Sequence, residues 1–445
     1  MDHLVIIAGG QGVRLATVSG DLPKALVPVG DKPVLQHQLE LAARFGVRKV
    51  TILAGHLASR ITDFTGDGSR FGLSVRVLVE DQPMGNAGAL LQHLDSLPEQ
   101  FLAMYGDVML AVDLQKMAQQ HLERNADLTM LVHPNDHPND SDLIETDAHG
   151  WATAIHAYPH PEDRFYNNLV NAGLYVIRRE ALRGFVEGPA KRDFTKVILR
   201  GLLASAARVF AYRSAEYIKD MGTPARLEKV DADWRAGKIQ LAAGGARPVV
   251  FLDRDGTLNV EKGHLGRHED LEVFPGVGAA LKQLRHAGYA LVVLTNQPVI
   301  ARGEASEEDV AAIHRKLEWE LGKDGAFLDA IYYCPHHPDS GFAGERPELK
   351  FRCECRKPAT GLFEQACRDL PVDVARSWMI GDQAMDIEMA RRAGLRSVRV
   401  THGSANAAWP EGTAVPDHIA KSLAEATGLI LQASLLESGQ GVSVR

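Results

Sequence analysis

Pro248-Val249-Val250-Phe251-Leu252-Asp253-Arg254-Asp255-Gly256-Thr257-Leu258 is an apolar run that ends in two carboxylates, two residues apart, and a glycine. The β-prone apolar residues read as a strand buried on both faces, and the acidic turn marks its carboxyl end. The pattern then repeats. ALVVLTN (290–296), AIYYC (330–334), WMIGD (378–382) and SVRV (397–400) read as further strands. Between them VGAALKQLRHAG (277–288), SEEDVAAIHRKLEWELG (306–322) and DIEMARRAG (386–394) read as helices, the first and last closed by Gly288 and Gly394. Strand and helix in alternation predict a mainly parallel sheet with helices on both faces, which binds its ligands at the carboxyl ends of the strands.

The first half repeats this scheme. LVIIA (4–8), VTIL (50–53), FLAMYGD (101–107), LTMLV (128–132) and AGLYVI (172–177) read as strands, and PVLQHQLELAARFG (33–46) as an amphipathic helix. A chain of 445 residues exceeds one ordinary core. The expected class is therefore α/β, with two doubly wound, mainly parallel Rossmann-like domains. The stretch RAGKIQLAAGGARP (235–248) sets domains at 1–235 and 248–432, a linker at 236–247 and a flexible tail at 433–445. A formal charge of −8 argues against a nucleic-acid scaffold, so an anionic substrate needs local basic groups and metal. No stretch is apolar enough to span a bilayer, and the opening DHLVIIAGG reads as a strand rather than an export signal. The expectation is a cytoplasmic protein that binds no membrane; nothing in the sequence speaks against a homo-oligomer.

The first strand runs into Gly9-Gly10-Gln11-Gly12-Val13-Arg14. Gly9, Gly10 and Gly12 let backbone N–H groups approach a polyphosphate, and Arg14 and Lys24 can clamp its oxygens. The spacing matches neither the dinucleotide fingerprint nor a Walker A loop. With Glu80-Asp81-Gln82-Pro83-Met84-Gly85, Tyr105-Gly106-Asp107, Asn171-Ala172-Gly173 and Lys219-Asp220-Met221-Gly222, residues 1–235 resemble the sugar-1-phosphate nucleotidyltransferase family. The resemblance implies Mg²⁺ on Asp107 and Asp220, Gly85 near the base or ribose, and Glu80 and Asn171 near the sugar. It also exposes a departure. Many members carry a Glu-Lys-Pro motif whose Lys holds the sugar phosphate; this chain reads AIHAYPHP (154–161), leaving His156, His160 or Arg164 as substitutes.

In the second half the first carboxylate, Asp253, can attack phosphorus, while Asp255 can protonate the leaving oxygen and then activate water. Thr295 and Asn296 offer a hydroxyl and an amide, Lys357 a cation, and Asp382 and Asp386 further carboxylates. The order DxDGT, Thr, Lys, GDxxxD resembles the haloacid dehalogenase superfamily over residues 247–405. It implies Asp253 as nucleophile, with Mg²⁺ on Asp253, Asp382 and the backbone carbonyl of Asp255. Between these motifs lie Cys334-Pro335-His336 and Cys353-Glu354-Cys355. Three thiolates and an imidazole form a closed tetrahedral set suited to structural Zn²⁺, with His337 the weaker candidate.

This loop narrows the resemblance to D-glycero-D-manno-heptose 1,7-bisphosphate 7-phosphatases and the related histidinol phosphatases. NQPVIARG (296–303) favours the heptose branch, although Pro298 stands where Ser is expected; Arg302 is a candidate contact for the second phosphate. A heptose bisphosphatase makes the kind of sugar 1-phosphate that a nucleotidyltransferase consumes. The expected substrates are heptose bisphosphate, heptose 1-phosphate and an NTP, with GTP favoured because the first half looks like heptose 1-phosphate guanylyltransferases. A mannose-1-phosphate-type guanylyltransferase or nucleotide-binding module joined to a histidinol-phosphate-like phosphatase is the alternative.

Overall fold

Val249, Val250, Phe251 and Leu252 are all buried, and in the computed structural model they form the third strand of a six-stranded parallel sheet. The order is Ala330–Cys334, Ala290–Asn296, Val249–Leu252, Trp378–Gly381, Arg396–Val400, His418–Ala420. Period-two alternation sends Val250 and Leu252 into one cluster, with Leu281, Val293, Ile313 and Leu317. Val249 and Phe251 enter another, with Leu294, Phe363 and Met389. The structure describes residues 1–10, 15, 20–80, 82–147, 149–188, 191–239, 245–341, 343–402 and 409–437.

The first sheet has seven strands, in the order Val209–Arg213, Leu128–His133, Val170–Arg178, Gln100–Tyr105, His3–Ala8, Lys49–Ala54, Ser74–Val79. Val170–Arg178 alone runs against its neighbours. A separate two-stranded pair joins Tyr217–Asp220 antiparallel to Val108–Ala111, in register Asp220 to Val108.

By contact the chain forms two units. One holds Met1–His133, Ile144–His156 and Val170–Gly245; the other holds Pro134–Leu143, Ala157–Leu169 and Ala246–Arg445. Two segments that the sequence places before the expected boundary thus count with the second unit. Within it the rings of Phe165 and His160 stand 5.9 and 6.2 Å from Trp319, and the Asn168 N–H donates to Glu318. The expected helices form at Val277–His286, Glu307–Lys323 and Ala384–Ala393, the second started by a capping box of Ser306 and Asp309. The last helix, Leu423–Glu437, runs past 433, where a tail was expected: Ala433 packs against the core and the Ser434 hydroxyl meets that of Tyr289 at 2.6 Å. No helix among the described residues is long and apolar enough to cross a membrane.

One buried histidine makes the first unit acid-sensitive. His121, on the helix Leu114–Glu123, meets the Thr129 hydroxyl through Nδ1 at 2.8 Å. Burial, helped by Arg178, lowers its pKa from 6.5 to about 4. Between those values the unfolded chain takes up a proton that the folded chain refuses. Stability present above pH 6.5 is therefore lost as pH falls toward 4, by up to about 3 kcal/mol. Urea unfolding of the first unit at pH 7 and 4.5 should show a steeper loss in the wild type than in His121→Gln. Equal slopes would contradict this role.

Candidate active sites

Parallel register gathers the second unit's motifs. Leu252 lies opposite Ile380, so Asp253 and Asp382 leave neighbouring strands at the same edge, and the Asp253 N–H donates to the Ile380 carbonyl at 2.9 Å. Thr295 and Asn296 end the strand on the other side. Gly256 has φ +76°, and a Cβ there would sit 2.5 Å from Asp382 Oδ2, so the turn tolerates no larger residue without displacement.

Lys357 Nζ is buried among acceptors, 2.7 Å from Asp253 Oδ1, 2.6 Å from Asp386 Oδ1 and 2.7 Å from the Leu294 carbonyl. Burial alone would lower its pKa; Asp253 and Asp386 outweigh that and raise it. Asp253 is pushed up to about 8, by burial first and then by Asp386 and Asp382 against the pull of Lys357. Asp382 rises to about 7 through burial and Asp386. Carboxylate oxygens of Asp253, Asp382 and Asp386 all lie within 4.8 Å of one another. Three buried carboxylates facing one ammonium, all hard oxygen donors, fit a divalent cation such as Mg²⁺. Asp386 was a fourth motif aspartate in the sequence; here it also steadies Lys357. Asn296 spans the backbone of Lys357, accepting from its N–H at 3.0 Å and donating to its carbonyl at 3.2 Å.

Asp255 turns elsewhere. Its Oδ1 accepts from Arg254 Nη2 at 3.0 Å and from Asn259 at 2.9 Å; its Oδ2 accepts from Arg254 Nη2 at 2.8 Å and Gln297 Nε2 at 2.9 Å. Burial would raise this carboxyl, but Arg254 and these hydrogen bonds hold it below the usual carboxylate range. Arg302 lies against His264, whose Nδ1 is 2.9 Å from Glu304.

The four zinc candidates converge. Cys334 Sγ is 3.5 Å from Cys353 Sγ and 3.2 Å from Cys355 Sγ, and His336 Nδ1 is 3.2 Å from Cys355 Sγ. Tetrahedral zinc with sulfur ligands has donor–donor edges of about 3.7 Å, close to this spacing. The hydrogen bond between Cys334 and Cys355 brings the Cys355 thiol down to about 5 and drives Cys334 up. His337 Nδ1 instead accepts the Asp339 N–H at 3.1 Å.

In the first unit, Gly9 and Gly10 follow the strand His3–Ala8; Gly12 and Arg14 lie outside the described residues. Lys24 Nζ is 3.2 Å from Asp107 Oδ2. The register of Asp220 with Val108, and a 3.0 Å hydrogen bond from the Met221 N–H to the Asp107 carbonyl, bring the two predicted metal aspartates side by side. Asp220 Oδ1 accepts from Arg226 at 2.6 Å. Glu80 reaches the glycine turn: a Cβ on Gly9 would sit 2.3 Å from Glu80 Oε1. Burial raises the Glu80 pKa. Gly85 opens the helix Gly85–Gln92. Asn171 is engaged by Tyr175 OH at 2.6 Å and Thr195 at 3.4 Å, while its Oδ1 accepts the Gly173 N–H. Of the three substitutes for the absent Lys, His156 alone counts with this unit and pairs with Glu145 at 2.5 Å; in the second unit His160 Nε2 meets the Ser141 carbonyl at 2.8 Å, and Arg164 is exposed.

Two contributions escaped the sequence reading. Arg254 is flanked by the motif aspartates, but nothing in a linear pattern pairs it with His314, sixty positions on. The Tyr105–Tyr175 pair, hydroxyls 3.3 Å apart, arises only from strand register.

A nucleotidyl transferase family model matches residues 3–236, and a HAD-hydrolase-like model matches residues 354–426. The chain is 43% identical over 180 residues to the D-glycero-beta-D-manno-heptose-1,7-bisphosphate 7-phosphatase of Haemophilus ducreyi, spanning 40% of this chain and 96% of that protein. Identity to the protein so named from Yersinia pestis is 39% over 178 residues, spanning 40% and 92%. Among solved structures, HddC from Yersinia pseudotuberculosis is 24% identical with a TM-score of 0.46, covering 53% of this chain and 100% of that one.

Proposed function

We propose, from the premise that the chain belongs to the nucleotidyl transferase family and also to the D-glycero-beta-D-manno-heptose-1,7-bisphosphate 7-phosphatase family, that one polypeptide carries two consecutive steps of nucleotide-sugar synthesis. The phosphatase removes the C7 phosphate of a heptose 1,7-bisphosphate. An Asp253 oxygen attacks phosphorus and the bond from phosphorus to the C7 oxygen breaks. The protonated form of Asp255, a minor one and a strong acid because Arg254 lowers its pKa, delivers a proton to that oxygen; the carboxylate then takes one from the water that hydrolyses the aspartyl phosphate. Lys357 orients Asp253 and offsets the charge of the incoming ester. Asp253, Asp382 and the Asp255 carbonyl would hold Mg²⁺, which would supply the positive charge that lets an anionic nucleophile meet an anionic ester. Zn²⁺ on Cys334, His336, Cys353 and Cys355 is structural, because its four ligands leave no open position.

The heptose 1-phosphate then attacks the α-phosphorus of an NTP and expels pyrophosphate. Lys24 and the glycine turn hold the phosphates, and Mg²⁺ is assigned to Asp107 and Asp220. GTP is the proposed donor, on the resemblance of the first half to heptose 1-phosphate guanylyltransferases. None of the four cysteines forms a disulfide, which suits action in the cytoplasm beside the nucleotide pool.

The observation that carries this reading is the gathering of Asp253, Thr295, Lys357 and Asp382 at one sheet edge on the same chain as the Lys24–Asp107 pair, with the backbone of Asp220 paired beside it. The test supplies the α and β anomers of the bisphosphate, and histidinol phosphate, and separately heptose 1-phosphate with each NTP. Phosphate from a heptose bisphosphate and pyrophosphate with GTP are expected. Phosphate from histidinol phosphate alone, or pyrophosphate with no NTP, would overturn the corresponding half.

A further inference from the structure

Arg254 is wholly buried, yet a guanidinium cannot lose its charge and must find acceptors for every N–H. It spends them in a fixed pattern. Nη1 donates to His314 Nε2 at 3.0 Å, and Nη2 donates to Gln297 Oε1 at 2.9 Å. Nε at 3.2 Å and the second hydrogen of Nη2 at 2.8 Å grip both oxygens of Asp255. Gln297 closes the ring by donating to Asp255 Oδ2 at 2.9 Å and to the Thr295 hydroxyl at 2.8 Å.

We propose that His314 and Arg254 are positioning residues for the phosphatase: His314 fixes the guanidinium plane, and that plane fixes the Asp255 carboxyl where it must exchange a proton with the leaving oxygen. The inference rests on Asp255 being the general acid and base. For His314 to accept at Nε2 its proton sits on Nδ1, and the ring must stay neutral. Burial, and then the Arg254 charge, bring its pKa down to about 3, so it accepts throughout the working range. His314 sits on the helix Glu307–Lys323, which ties the orientation of Asp255 to the seating of that helix against the sheet. A carboxyl held by a planar two-point grip has little rotational freedom; a loosened one spends less time aimed at the leaving oxygen.

The test separates positioning from mere support. Departure of an alkoxide from a sugar phosphate needs a proton, whereas departure of 4-nitrophenolate does not. The parameter kcat/KM covers steps up to leaving-group departure, and a ratio of two such values on one preparation cancels any loss of folded protein. His314→Leu is expected to lower kcat/KM for heptose 1,7-bisphosphate by ~30-fold and for 4-nitrophenyl phosphate by less than ~3-fold. His314→Gln, which keeps an acceptor, should return the ratio to within ~3-fold of the wild type. His314→Met carries the same comparison if His314→Leu does not fold. An equal loss on both substrates, or a His314→Gln ratio no better than that of His314→Leu, would overturn the proposal. A wild type that hydrolyses neither ester would instead overturn the phosphatase reading on which it rests.

Discussion

Asp253→Asn is expected to lower phosphate release by about 10⁴-fold or more, since an amide cannot form the covalent intermediate. The same variant should retain pyrophosphate release from heptose 1-phosphate and NTP. Its fold should survive. Asp253 sits in a buried cluster with Asp382 and Asp386, and burial with this crowding holds its carboxyl at about 8. Asn keeps the side chain's shape while taking a titratable carboxyl out of that crowd, and Lys357 keeps Asp386 at 2.6 Å as its partner. A thermal midpoint equal to or above that of the wild type, with phosphate release gone, is the expected pair of results. An Asp253→Asn chain that still released phosphate at a tenth of the normal rate would place the nucleophile elsewhere.

The second large effect is expected from removing the zinc proposed for the Cys334, His336, Cys353 and Cys355 cluster. Among its described residues the segment from Cys334 to Cys355 contains one short helical turn, Pro347–Leu349, and little apolar core of its own. Cross-linking Cys334, His336, Cys353 and Cys355 through one ion couples binding free energy of the order of 10 kcal/mol to ordering that segment. Cys355 is two residues from Lys357, and the Asn296 amide grips the Lys357 backbone. Loss of the ion should therefore release Lys357 from Asp253. Cys355→Ser, or the wild type after chelation, is expected to lose more than ~100-fold in phosphate release and to bind less than one zinc per chain. Nucleotidyl transfer should persist. Full phosphatase activity in a chain stripped of zinc would contradict this role.

The strands were legible because each is a short apolar run that ends at a turn residue, and the parallel class followed from their alternation with helices. The phosphatase motifs were legible for the same reason: in a parallel sheet the carboxyl ends of strands share an edge, so Asp253, Thr295 and Asp382 had to meet. Cys334, His336, Cys353 and Cys355 were readable from side-chain chemistry alone. What escaped reading was set by long-range register. The pairing of Tyr217–Asp220 with Val108–Ala111, which sets Asp220 beside Asp107, carries no tight-turn signal between its strands, although the family resemblance had already named both aspartates. His314 looked like one more position on an amphipathic helix.

The central claim is that the phosphatase makes what the transferase uses. A single reaction tests it: heptose 1,7-bisphosphate, GTP and Mg²⁺ with the wild type or with Asp253→Asn, following pyrophosphate. Pyrophosphate is predicted from the wild type and not from Asp253→Asn, and added heptose 1-phosphate should restore it to the variant. Pyrophosphate from Asp253→Asn acting on the bisphosphate itself would contradict the order of steps, and none from either protein even with added heptose 1-phosphate would contradict the role of the first half.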